Sequence, residues 1–114
     1  MIVSAKTRQA GDVMVVDLSG RITLGPSATS FAETIRKLAA AGHKNLLLNF
    51  ADISYVDSSG LGELVATLTA VSKQGGSMKL LNPTQRVREI LEITKVNTLF
   101  QVFNDEAAAV RSFA

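Results

Sequence analysis

Cysteine and tryptophan are absent from this 114-residue chain, histidine occurs once, proline twice, and aromatic residues make up only 5%. Each scarcity removes a class of chemistry. Without cysteine there is no disulfide framework, no thiolate metal site and no thiol nucleophile. A lone His43 cannot build a multi-histidine cluster, so no metal and no cofactor are expected. Charge of one sign is missing too. Twelve basic side chains stand against ten acidic ones, and the net +2 is spread along the chain, so no direct nucleic-acid contact is expected. No apolar run approaches the roughly 20 residues needed to cross a bilayer, which argues against membrane insertion. Met1 to Gln9 alternates like a strand instead of pairing a charged segment with an apolar one, so a cytoplasmic protein is expected. What remains suits a folded domain. The 46% hydrophobic content supplies a core and 19% charged residues are too few for a disordered tail, so residues 1–114 read as one domain.

The pattern along the chain alternates between two periods. Ile2 to Arg8 and Val13 to Leu18 are strand-like runs around Gly11-Asp12, a hairpin whose loop Gln9 and Ala10 lengthen; Ser19-Gly20 ends the second strand. Pro26 suits the first position of a helix, and Phe31, Ile35 and Leu38 recur at helical spacing before Gly42 stops it, with His43 a surface residue at the helix end. Asn45 to Phe50 is a short strand: Leu46, Leu48 and Phe50 share one face, and the half-polar Asn45, Leu47 and Asn49 share the other. A sheet with one face better covered is therefore expected. A second helix starts near Ser58 or Ser59, with Leu61, Leu64, Val65, Leu68 and Val71 as its stripe and Gly75-Gly76 as its end. Met78 to Leu81 is the next strand. Asn82-Pro83-Thr84-Gln85 reads as a helix start with Asn82 as N-cap, Pro83 at N1 and Gln85 closing a capping box; Val87, Ile90 and Leu91 face the core. Phe100 to Phe103 is a short strand, and Asn104 or Asp105 opens a terminal helix reaching Phe113. The sum, β-β-α-β-α-β-α-β-α, predicts an α/β fold: a hairpin followed by right-handed crossovers, in a mainly parallel mixed sheet.

Chemistry concentrates in Asp52 to Gly62, which links the carboxyl end of a central strand to the best amphipathic helix. Crevices at such strand ends are where open α/β sheets bind ligands, and the unpaired N–H groups of a helix start favour an anion. Asp57, Ser58 and Ser59 are equally well read as plain N-cap residues, with the glycines allowing tight strand–helix packing. A nucleotide or small-ligand domain is a further reading, but Gly60-Leu61-Gly62 lacks the third glycine of a dinucleotide fingerprint, and no Gly-Lys-Ser/Thr follows. A serine hydrolase has no Gly-x-Ser-x-Gly elbow here. Lys79, Arg86 and Arg88 are candidate anion ligands or solvated charges, and Tyr55 reads as packing.

Asp57-Ser58-Ser59-Gly60-Leu61-Gly62, following an apolar strand, resembles the signature of STAS domains, specifically of bacterial anti-sigma factor antagonists. The resemblance extends over nearly the whole chain: Leu18-Ser19-Gly20 matches the family's Leu-x-Gly, Leu48-Asn49-Phe50 precedes the signature at the family's spacing, and Gly75-Gly76 precedes the next strand. It implies an interaction protein with no turnover of its own. Such proteins capture an anti-sigma factor that is also a serine kinase, freeing a sigma factor; phosphorylation releases the kinase, and a metal-dependent serine phosphatase resets the cycle. The family's phosphoacceptor maps onto Ser58, with Ser59 as the neighbouring candidate. The resemblance places the partner surface at Asp57, Ser58, Ser59, Gly60, Leu61, Gly62 and Glu63 and at the loop before the first helix, including Thr23. Glu63 and Thr67 are read as facing away from the apolar stripe. An acidic residue that the family often carries after its Leu-x-Gly is missing, with Thr23 in its place. That departure fits the alternative, a non-switching STAS scaffold in a signalling or transporter complex. A monomer or weak dimer is expected.

Overall fold

A computed structural model describes residues 3–113. The elements are β1 (Ser4–Ala10), β2 (Val13–Ile22), α1 (Pro26–Ala40), β3 (Asn45–Val56), α2 (Ser58–Lys73), β4 (Ser77–Leu81), α3 (Gln85–Ile93), β5 (Val102–Phe103) and α4 (Glu106–Arg111), with a short 3-10 turn at Val96–Thr98. The α/β reading is borne out: one five-stranded mixed sheet in the order β1-β2-β3-β4-β5, antiparallel between β1 and β2 and parallel elsewhere.

The strand order dictates where the helices go. When each right-handed crossover steps to the next strand in the same direction, every crossover helix falls on the same face. Phe31 and Ile35 of α1, Leu61 and Leu64 of α2, and Val87 and Leu91 of α3 accordingly join Val16, Leu18, Leu46, Leu48 and Phe50 in one core. On the opposite face, α4 is the one helix among the described residues: Ala109 and Val110, with Phe113 just beyond, pack with Val13, Val15, Leu47, Leu81 and Phe103. This is the unequal coverage expected from the β3 alternation. Arg8 anchors α4 from the edge strand, bridging Asp17 at 2.8 Å and Glu106 at 2.6 Å. Lys79 holds the chain end, donating to the Ser112 carbonyl at 3.0 Å and lying 4.4 Å from the Phe113 ring centre.

Several boundaries differ from the sequence reading, each for a local reason. Ile2 lies outside the described residues. Gln9 and Ala10 do not lengthen the hairpin loop; they pair with Met14 and Val13, leaving a two-residue turn. Ser19-Gly20 does not end β2, which continues to Ile22 alongside a β3 that runs past Phe50 to Val56. Register shifts on both sides of Gly20, at φ +116°, absorb the irregularity that glycine alone tolerates cheaply. Asn82 is not the α3 cap. Its N–H bonds the Phe103 carbonyl at 2.8 Å, extending the β4–β5 ladder, and Thr84 caps instead, accepting from the Val87 N–H at 3.2 Å. Gln85 donates to Glu89 instead of closing a capping box. The last strand spans only Val102–Phe103, and α4 ends at Arg111.

Candidate functional site

All the strand-to-helix loops of a singly wound sheet emerge at one edge, which brings the β2–α1 loop beside the start of α2. Asp57 joins the two. As N-cap of α2 its Oδ1 accepts from the Gly60 N–H at 2.8 Å, while its Oδ2 accepts from the Leu24 N–H, across the gap, at 2.9 Å. These backbone donors, Leu24 foremost and then Gly60, hold the Asp57 carboxyl below the usual carboxylate range. The Asp57 N–H in turn bonds the Ile22 carbonyl at 3.2 Å.

Gly60 explains why the approach is so close. A Cβ built there would stand 2.1 Å from the Ile22 carbonyl oxygen and 2.9 Å from a Val56 methyl. Gly62, one position past Leu61 on the same helix, is exposed and meets nothing within 4 Å. Gly60 and Leu61 are both buried, so they shape the helix start from below. Ser58 is exposed at the first helical position, and no side-chain hydrogen bond holds it among the described residues. Ser59 is half-buried and lines a shallow groove between α1 and α2 with Gly62 and Glu63.

Thr23 belongs to a locked loop. Its N–H donates to Ser27 Oγ at 2.9 Å, Ser27 Oγ lies 3.0 Å from the Thr23 carbonyl, and the two hydroxyls are 3.3 Å apart. Thr67, read from the sequence as outward-facing, is fully buried beneath α2 with its hydroxyl on the Leu64 carbonyl at 2.9 Å. The reason is helical spacing: Gly60, Leu64, Thr67 and Val71 form one stripe, and the hydroxyl satisfies itself within its own helix. Leu24 was not singled out by the sequence, yet at 78% exposure it is a large apolar side chain at the mouth of the site. Its signal was a leucine outside any periodic pattern, just before Gly25-Pro26.

Among the basic candidates, Lys79 is engaged at the chain end and Arg88 donates to Asn104 Oδ1 at 2.6 Å. Arg86 instead stacks on Tyr55 from 4.8 Å, and Arg21 approaches the same ring at 5.5 Å. Among the described residues no group of acidic or histidine side chains could hold a metal ion, and no helix is long and apolar enough to cross a membrane.

A helix start bearing Asp57 and two serines is thus clamped to the β2–α1 loop of a small mixed α/β sheet domain. The chain belongs to the STAS domain family, whose pattern matches residues 4–109, and within it to the anti-sigma factor antagonists. The anti-sigma-B factor antagonist of Bacillus subtilis (strain 168) is 33% identical over 102 residues, covering 90% of this chain and 92% of that one. Two solved structures share the fold. An anti-sigma factor antagonist from Mycobacterium paratuberculosis superposes with a TM-score of 0.85 at 19% identity, over 97% of this chain and 93% of that one. The unphosphorylated anti-sigma factor antagonist SpoIIAA does so with a TM-score of 0.76 at 21% identity, over 96% of each chain.

Proposed function

We propose that this chain, as one cytoplasmic domain without catalytic activity, is an anti-sigma factor antagonist switched at Ser58. Unphosphorylated, it captures an anti-sigma factor that is also a serine kinase, and so frees a sigma factor. Phosphate on Ser58 dismisses the kinase, and a metal-dependent serine phosphatase restores capture. The observation that carries this reading is the contrast at the α2 start. Asp57 has both oxygens engaged, whereas the neighbouring Ser58 hydroxyl is exposed and unheld. Ser59 is the poorer acceptor: it is half-buried, and Glu63 stands one helical turn on, where it would repel a phosphate.

Charge supplies the mechanism. A phosphate adds roughly −1.5 to −2 charges, and the α2 N-terminus tolerates it with a favourable contribution of about 0.3–1 kcal/mol. Pressed into an interface, the same group must lose its water or face like charge, at a cost of several kcal/mol. Since about 1.4 kcal/mol is tenfold in affinity, a local modification suffices to release a partner without reshaping the fold.

Intact mass and site mapping on protein isolated from its source cells test the reading. A phosphate on Ser58, and loss of kinase capture in Ser58→Asp, are expected. Protein that is never modified during growth or stress, or undiminished capture by Ser58→Asp, would overturn it.

A further inference from the structure

We propose that Arg21 and Arg86, braced on Tyr55 beside the α2 start, form a carboxylate-binding subsite that receives an acidic segment of the captured protein. The inference rests on the partner-binding reading above and adds to it the chemistry of one contact. Arg21 sits on β2 directly across the ladder from Tyr55 on β3, and Arg86 comes from the first turn of α3, which Thr84 ties to the Ile53 carbonyl. Both guanidinium groups lie within 5.5 Å of the Tyr55 ring centre. Stacking of this kind holds a guanidinium plane in place and leaves its N–H fork free to grip a carboxylate with two parallel hydrogen bonds.

The fork is unoccupied at both residues. Arg8 is taken by Asp17 and Glu106, Lys44 by the Gln74 carbonyl, Lys79 by Ser112 and Arg88 by Asn104. Arg21 and Arg86 make no ion pair and no hydrogen bond through their side chains among the described residues. The carboxylate that lines the recess with Arg21 and Tyr55 is Asp57, and its oxygens are committed to Leu24 and Gly60. Two exposed guanidinium groups, paired with no carboxylate among the described residues, are therefore free to take one from outside.

The surroundings favour a polypeptide over a small anion. The recess is open, whereas small-molecule sites enclose most of their ligand. Arginine and tyrosine beside an exposed leucine, Leu24, make the composition of a protein–protein contact. The patch is also continuous with Asp57 and hence with Ser58, so one partner can cover both.

The test uses the full chain, isotope-labelled, titrated by NMR with a capped octaglutamate peptide, a capped octalysine peptide and ADP in parallel. Octaglutamate is expected to shift the Arg21, Tyr55 and Arg86 signals. Its affinity should fall at least tenfold in the Arg21→Glu/Arg86→Glu double variant but not in an Arg36→Glu control, with urea unfolding confirming that both variants are folded. No shift at the arginine pair, or ADP binding there while octaglutamate does not, would overturn the subsite. A second arm uses the kinase that phosphorylates Ser58. At least tenfold weaker capture by the double variant is expected; equal capture would overturn the subsite and leave the Ser58 switch standing. Octaglutamate bound at the pair in a protein that no kinase modifies would keep the subsite and remove the switch.

Discussion

Two glycines two positions apart on α2 have opposite assignments. Gly60 lies under the helix start, where a methyl group would collide with the Ile22 backbone at 2.1 Å, and a carbonyl oxygen cannot move aside as a flexible side chain can. Gly60→Ala is therefore expected to destabilise the fold by about 3 kcal/mol, at the upper end of typical overpacking costs. Gly62 faces open space in the first turns of the same helix, where glycine is the weaker helix former. Gly62→Ala should stabilise by roughly 0.5–1 kcal/mol. Urea unfolding of both variants checks the pair, and a Gly60→Ala protein as stable as the wild type would show that the Ile22 contact does not constrain the helix. The sequence displayed both glycines in one motif without separating these roles, because the difference depends on where β2 passes. It did offer Asp57 among the candidate caps and put the helix start near Ser58 or Ser59; the exposure of Ser58 is a finding of the structure. Leu24 and the Arg21–Tyr55–Arg86 stack depend on contacts between residues 30 or more positions apart, which no local period reports.

At the scale of elements, the order of strands and helices was legible throughout, because each period change was bounded by glycine, proline or a capping residue. The ends of elements were less so. β3 continues through Ala51, Asp52 and Ser54, the first a poor strand former and the others turn residues, because β2 continues beside it and the ladder supplies what side-chain pattern does not. Asn82 was misread for the mirror reason: a good capping residue is held by β5 instead. The attachment of α4 offers a pH test of one such long-range contact. Arg8 holds the carboxyls of both Asp17 and Glu106 below their ordinary values through direct hydrogen bonds. A carboxylate whose folded-state value is depressed contributes stability that is fully present above its unfolded value. That contribution is lost as pH falls through the folded one. With unfolded values of about 4, Arg8→Gln should cost stability at pH 7, and the difference from wild type should shrink as pH falls below that range through the depressed folded values. These groups are partly exposed, so the effect at pH 7 is about 1 kcal/mol or less and should shrink further in about 1 M salt. Equal urea midpoints for the two proteins at pH 7 in low salt would show that α4 is held by its apolar contacts alone.

For the whole molecule, the consequence of a singly wound sheet is a division of labour between edges. The carboxyl ends of β2, β3 and β4 present the Thr23 loop, the Ser58 helix start and the Arg86 turn side by side, while α4 and the chain end pack on the far face. A charge added at the exposed Ser58 changes no buried volume, and the core between it and α4, with Leu46, Leu48 and Phe50 fully buried, keeps its packing. Phosphorylation should therefore change binding without changing the fold. The macrodipole of α2 favours the new charge by about 0.3–1 kcal/mol and neighbouring Asp57 opposes it, so the net change is about 1 kcal/mol or less. The melting temperature of the Ser58 phosphoprotein should thus lie within about 3 °C of the unmodified protein. Its amide NMR shifts should be confined to the start of α2 and the β2–α1 loop. Shifts spreading to α4, or a melting temperature displaced by about 10 °C, would mean that release of the partner works through a refolded domain and not through local repulsion.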